Sequence, residues 1–122
     1  MEQELEVPVS GIGPLLVLKL NAFEGRQQPK DAFDVLLGVT RFLEGPEAAI
    51  ASFRSEAGAS NRGFARAEAA LHRHFQEPDQ SGPMRCAAFV LDGQHGVDDF
   101  KFRQGQIAEK MVTVGRALLG IT

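Results

Sequence analysis

Three cations and two carboxylates fall within sixteen residues of one another: Lys19, Arg26, Lys30, Asp31 and Asp34. A lysine ammonium meets a phosphate as a point charge and an arginine guanidinium grips one in a planar fork, so this set suits a phosphate-bearing ligand. The same groups also suit a structural network, because ion pairs that tie two helices together use the same residue types. Lys19 sharpens the choice. It stands alone in an apolar run, between Leu16, Val17, Leu18 and Leu20. An isolated charge inside a buried helix is costly, so it needs a partner, and Asp31 and Asp34 are the nearest carboxylates downstream of the break. Lys19 and Arg26 are seven residues apart and so share one side of a helix and its end.

The elements that must position these groups follow from Pro, Gly and the apolar spacing. Pro14 suits the first turn of a helix that runs to about Phe23 or Glu24 and stops at Gly25. That helix is apolar on nearly all sides, which places it at the centre of a bundle or under a partner. A second helix from Pro29 to Leu43 or Glu44 puts Ala32, Val35, Leu36, Val39 and Leu43 on one face and Asp31, Asp34, Gly38 and Arg41 on the opposite edge. Two antiparallel helices joined by a short turn bring the basic edge of the first against the aspartate edge of the second.

Further helices are predicted from Pro46 to about Glu56, with Ile50 and Phe53 inward; from Ser60 as N-cap, with a Phe64, Ala67, Leu71, Phe75 stripe; over Met84 to Leu91; and from Phe100 to Leu119. Glu4 to Val9 alternates weakly around Pro8 and reads as a short edge strand or extended lead-in. The expected fold is mainly α, a compact bundle of about five or six helices with at most a short N-terminal strand. It is one domain over 1–122: lead-in 1–13, lysine/aspartate helix pair 14–44, remaining helices 46–122.

Other candidate chemistry is weaker. His72 and His74 are two apart and point about 200° from each other on a helix, whereas chelation from one face needs a spacing of three or four. His95, near Asp92, Asp98 and Asp99, sits in a turn without the oxygen ladder or closing Glu of a calcium loop. Gly11 and Gly13 lack the third glycine of a dinucleotide loop, and Pro14 removes a donor. Cys86, the single cysteine, reads as an inert buried thiol and fits a reducing compartment; cytoplasm is the expectation. The net charge of −3 disfavours generic nucleic-acid binding, and no apolar run approaches the ~20 residues that span a bilayer. With no Trp or Tyr, the 9 Phe are expected to pack the core. The first residues, MEQELEVPVS, are not a signal peptide.

The run from Lys19 through Arg26 to Lys30, Asp31 and Asp34 resembles the second half of the AbiEii-type nucleotidyltransferase toxins, distant relatives of the polymerase-β-like nucleotidyltransferases. The likeness covers Val7 to Leu43; beyond it only the helical pattern agrees. It implies that Lys19 contacts a nucleotide phosphate and Asp31 is an acid of the site, with Arg26 and Asp34 in support and Mg-nucleotide as the ligand. The chain departs from that family's pattern, for it holds neither a Gly-Ser turn nor an Asp-x-Asp, whose carboxylates hold the metal ions of phosphoryl transfer. The expectation is a toxin–antitoxin-related module without catalysis of its own, Met1 favouring a naturally short relative over an excised fragment. Its partner would be a second copy or a separate catalytic chain, docked on the helix face of Leu15, Leu16 and Leu18.

Overall fold

The first helix, α1 (Val9–Arg26), lies at the centre of the molecule and packs against α2 (Pro29–Thr40), α3 (Pro46–Ser55) and α4 (Phe64–His74). In this computed structural model, which describes residues 9–58, 61–94, 96 and 99–121, α5 (Ser81–Val90) extends the bundle beside α2, and α6 (Phe100–Leu118) covers α5. Six helices therefore make one mainly α bundle among the described residues. Its core takes Ile12, Leu16, Leu20 and Phe23 from α1, Val35 and Val39 from α2, Phe53 from α3, Leu71 from α4, and Met111 and Leu118 from α6. A helix apolar on three sides needs three neighbours, and α1 has them.

Close approach at α1 depends on glycine. A Cβ on Gly13 would lie 2.5 Å from the Ser52 backbone oxygen, and the Gly13 N–H donates to Ser52 Oγ at 3.0 Å. This contact seats α3 one residue before Pro14, which has no N–H to give.

Several boundaries differ from those the sequence predicts. α1 begins at Val9, so 9–13 are helical and Pro14 lies inside the helix; the expected strand falls, apart from Val9, outside the described residues. At its other end α1 passes Gly25 and continues to Arg26, and Gln27 takes the left-handed conformation (φ 50°) that ends it. Gln27 donates its N–H to the Phe23 carbonyl at 2.7 Å and turns the chain toward Pro29. α2 stops at Thr40, whose hydroxyl bonds the Leu36 carbonyl at 2.8 Å. The helical phase is then lost, so Phe42 rather than Leu43 enters the core and Leu43 stays exposed. α4 starts at Phe64, where Asn61 Oδ1 accepts the Gly63 N–H; Ser60 is outside the described residues.

The segment 81–90 is helical, as predicted for Met84 to Leu91. Two of the phenylalanines expected in the core are exposed instead: Phe102 at 68%, and Phe89 at 39% against the ring of Phe33. On the proposed partner face, Leu16 is buried, Leu15 is half-buried against the core and only Leu18 is exposed, because residues two apart in a helix point different ways.

Gly105 offers the opposite case to Gly13, since nothing lies within 4 Å of a Cβ placed there. Urea denaturation should show Gly13→Ala destabilised by about 1–3 kcal/mol through overpacking, and Gly105→Ala stabilised by roughly 0.5–1 kcal/mol through helix propensity. Equal effects at the two positions would contradict the α1–α3 contact described.

Candidate functional site

The last two turns of α1 and the first two of α2 carry the charge cluster. Because α1 runs on to Arg26, the guanidinium stays in helical register and reaches across the Gln27–Gln28 turn. It forks onto Asp31, with Nε to Oδ2 at 2.9 Å and a terminal nitrogen to Oδ1 at 3.1 Å. Asp31 stands in the first turn of α2, where the helix dipole favours a negative charge. Its side chain is only 3% exposed while that of Arg26 is 62% exposed, so a solvent-facing cation satisfies a carboxylate taken out of water. The carboxylate raises the Arg26 pKa, first by hydrogen bonding and then by its charge.

One turn along α2, Asp34 receives Lys19 of α1 at 2.8 Å and Lys30 of its own helix at 3.0 Å. Lys19 is thus paired, as its apolar setting requires, and the structure brings all five sequence-predicted residues together. An open groove of about 440 Å³ runs beside them, lined by Leu18, Lys19, Asn21, Ala22, Gly25, Arg26 and Asp31. Three cations against two carboxylates leave the cluster with one net positive charge.

Sequence reasoning missed two connections. Asn21 Nδ2 donates to the carbonyls of Val17 and Gly63 at 2.9 and 3.0 Å, tying α1 to the start of α4. A polar amide two residues after Lys19 in an apolar helix was the available signal. The second connection joins α1, α4 and α5: Glu24 pairs with Arg73 at 3.0 Å and with His74 Nε2 at 3.1 Å, and His74 Nδ1 meets Ser81 Oγ at 3.1 Å. Serine, histidine and glutamate in series have the order of a nucleophilic relay. Behind Ser81, Gly82 packs so closely on Phe75 that a Cβ there would lie 2.4 Å from the ring, which seats the start of α5 against the end of α4. These contacts clamp α1, α4 and α5 together.

His72 is exposed and shares none of these contacts, and no group of three or more His, Cys, Asp or Glu side chains lies together to hold a metal among the described residues. His95 and Asp98 are outside the described residues. Cys86 is fully buried, and burial pushes its thiol from 9.0 up to about 12. No helix is long and apolar enough to cross a membrane among the described residues. Compared with family models, curated proteins and solved structures, the chain matches none.

The buried thiol sets a pH dependence. A folded pKa above the unfolded one favours folding below the unfolded value and loses that advantage as pH rises past it, because the unfolded chain ionises first. Urea melts should show wild-type stability falling relative to Cys86→Ala from pH 9.0 towards pH 12, with no pH-dependent difference below 9.0. A pH-independent difference across that range would show that the thiol is not shielded.

Proposed function

We propose that this chain is a non-catalytic helical interaction module, a counterpart of the second half of an AbiEii-type nucleotidyltransferase. One observation carries the reading: Lys19, Arg26 and Lys30 are each committed to a carboxylate of the chain itself, at 2.8, 2.9 and 3.0 Å. A phosphate entering here must compete with two aspartates already in place. The network fixes α2 against α1 and so fixes the surface beside it, where Leu18 is 63% exposed at the edge of the groove. The contact surface we place here, for a copy of this protein or a catalytic subunit, is centred on Leu18 with the half-buried Leu15 three residues before it on the same helix face.

A second reading rests on the groove itself. Its volume of about 440 Å³ falls in the range of small-ligand sites, and Lys19 and Arg26 both line it. In that reading the chain is a nucleotide-binding accessory subunit whose metal carboxylates come from another chain.

Thermal shift against nucleoside triphosphates, with and without Mg²⁺, separates the two. The interaction module gives no ligand-dependent shift, and Lys19→Ala costs about 1–2 kcal/mol, or roughly 4–8 °C, because Asp34 keeps Lys30 of its own helix but loses its tie to α1. Nucleotide protection that disappears in Lys19→Ala would instead establish the accessory-subunit reading. For the contact surface, light scattering should show an assembly that Leu18→Glu dissociates; a wild-type monomer at high concentration that also captures no catalytic chain would remove it.

A further inference from the structure

A second surface, to which α1 contributes no lining residue, has a chemistry of its own. α2 and α6 both rest on α5 while touching one another little, so a cleft opens between them with Val90, the last residue of α5, inside it. Its apolar lining is Phe33, Leu36 and Leu37 from α2, Val90 from α5 and Ile107 from α6, around a space of about 300 Å³. An adjoining groove of about 320 Å³ shares Val90, Ile107 and Lys110 and continues along α6 past Arg103.

The charge lining these two grooves runs against the composition of the chain. The chain as a whole carries 13 basic and 16 acidic residues. The charged residues lining the cleft and its continuation are Arg41, Arg103 and Lys110, with no carboxylate among the described residues that line them. The exposed ring of Phe89, stacked on Phe33 at 4.9 Å, extends the apolar surface at the α2 side.

We infer that this cleft binds an acidic amphipathic helix of another protein, its apolar stripe laid over Leu36, Leu37, Val90 and Ile107 and its carboxylates facing Arg103 and Lys110. A groove between two helices, apolar within and cationic at the edge, fits a helix whose anchors recur at three- and four-residue spacing. The opposite charge speeds encounter and rejects basic partners. Single-stranded nucleic acid is the poorer match. It needs exposed aromatic faces along a cationic track, whereas this lining is chiefly aliphatic. The site is separate from the Lys19 cluster, and its occupancy neither needs nor excludes the function proposed above.

The test uses the full chain and fluorescence anisotropy. The probes are a fluorescein-labelled, ~15-residue amphipathic peptide with Leu anchors and Glu elsewhere, a Lys-for-Glu version, a scramble of the acidic peptide, and a labelled oligothymidylate. The acidic amphipathic peptide is expected to bind, weakening with added salt, while the Lys version, the scramble and the oligonucleotide bind at least about tenfold more weakly. Lys110→Glu and Arg103→Glu, both outside the core, should each weaken binding by about threefold or more and abolish it together, with circular-dichroism melts showing the fold intact. Ile107→Glu in the apolar lining should weaken binding by about threefold or more, and Arg62→Ala, exposed and outside both grooves, should leave it unchanged. The proposal is overturned if the acidic peptide does not bind, if scrambling leaves its affinity unchanged, if folded Arg103→Glu/Lys110→Glu binds as wild type, or if the oligonucleotide binds better than the peptide.

Discussion

A carboxylate that has lost its water must find its solvation elsewhere in the protein, and Asp31 is the only charged residue that is fully buried among those described. Its two oxygens are held by one guanidinium across a two-residue turn, and its place in the first turn of α2 adds the favourable end of the helix dipole. That geometry exists only if α1 stays helical through Arg26, so the buried charge, the length of α1 and the left-handed turn at Gln27 are consequences of one another. Removing Arg26 strands the buried Asp31, which costs more than the pair contributes by existing.

Asp34 extends the same logic one turn further. It draws Lys19 out of an otherwise apolar helix, and that helix is the one the rest of the bundle is built on. α3 approaches α1 at Gly13, and α4 is tied to α1 through Asn21 and through Glu24 with Arg73 and His74. Each of these contacts presupposes the rotation of α1 about its axis. The pairing of Lys19 with Asp34 fixes that rotation from one side and the buried stripe of Ile12, Leu16, Leu20 and Phe23 from the other. Polar tethers add orientation to a core that burial alone would leave freer to slide.

The lysine's need for a partner was legible in the sequence because it rests on the cost of a lone charge, which does not depend on the fold. So was the inward face of α2 as far as Val39, since helical spacing keeps its phase while the helix lasts. What failed were ends and exceptions. Gly25 looks like a stop because glycine tolerates the left-handed cap, yet Gln27 adopts it once Arg26 has a buried carboxylate to reach. Leu43 was assigned inward by extending a helix that had ended at Thr40, and Phe42 took its place. The clamp of Glu24, His74 and Ser81 joins residues 50 and 7 positions apart, and no periodicity within one element encodes it. Phe89 and Phe102 were placed inside by composition, whereas their exposure reflects the surface around α5 and α6.

The central claim is that cations of α1 and carboxylates of α2 hold this helix pair together. A double-mutant cycle on Lys19→Ala and Asp34→Ala, read by urea denaturation, measures that link while cancelling the separate effects of each truncation. The coupling expected for a contacting, mostly shielded pair is about 0.5–3 kcal/mol, diminishing only slightly with added salt. Additive losses, with a coupling indistinguishable from zero, would mean that the two groups meet without holding anything, and the account of the helix pair would fall with them.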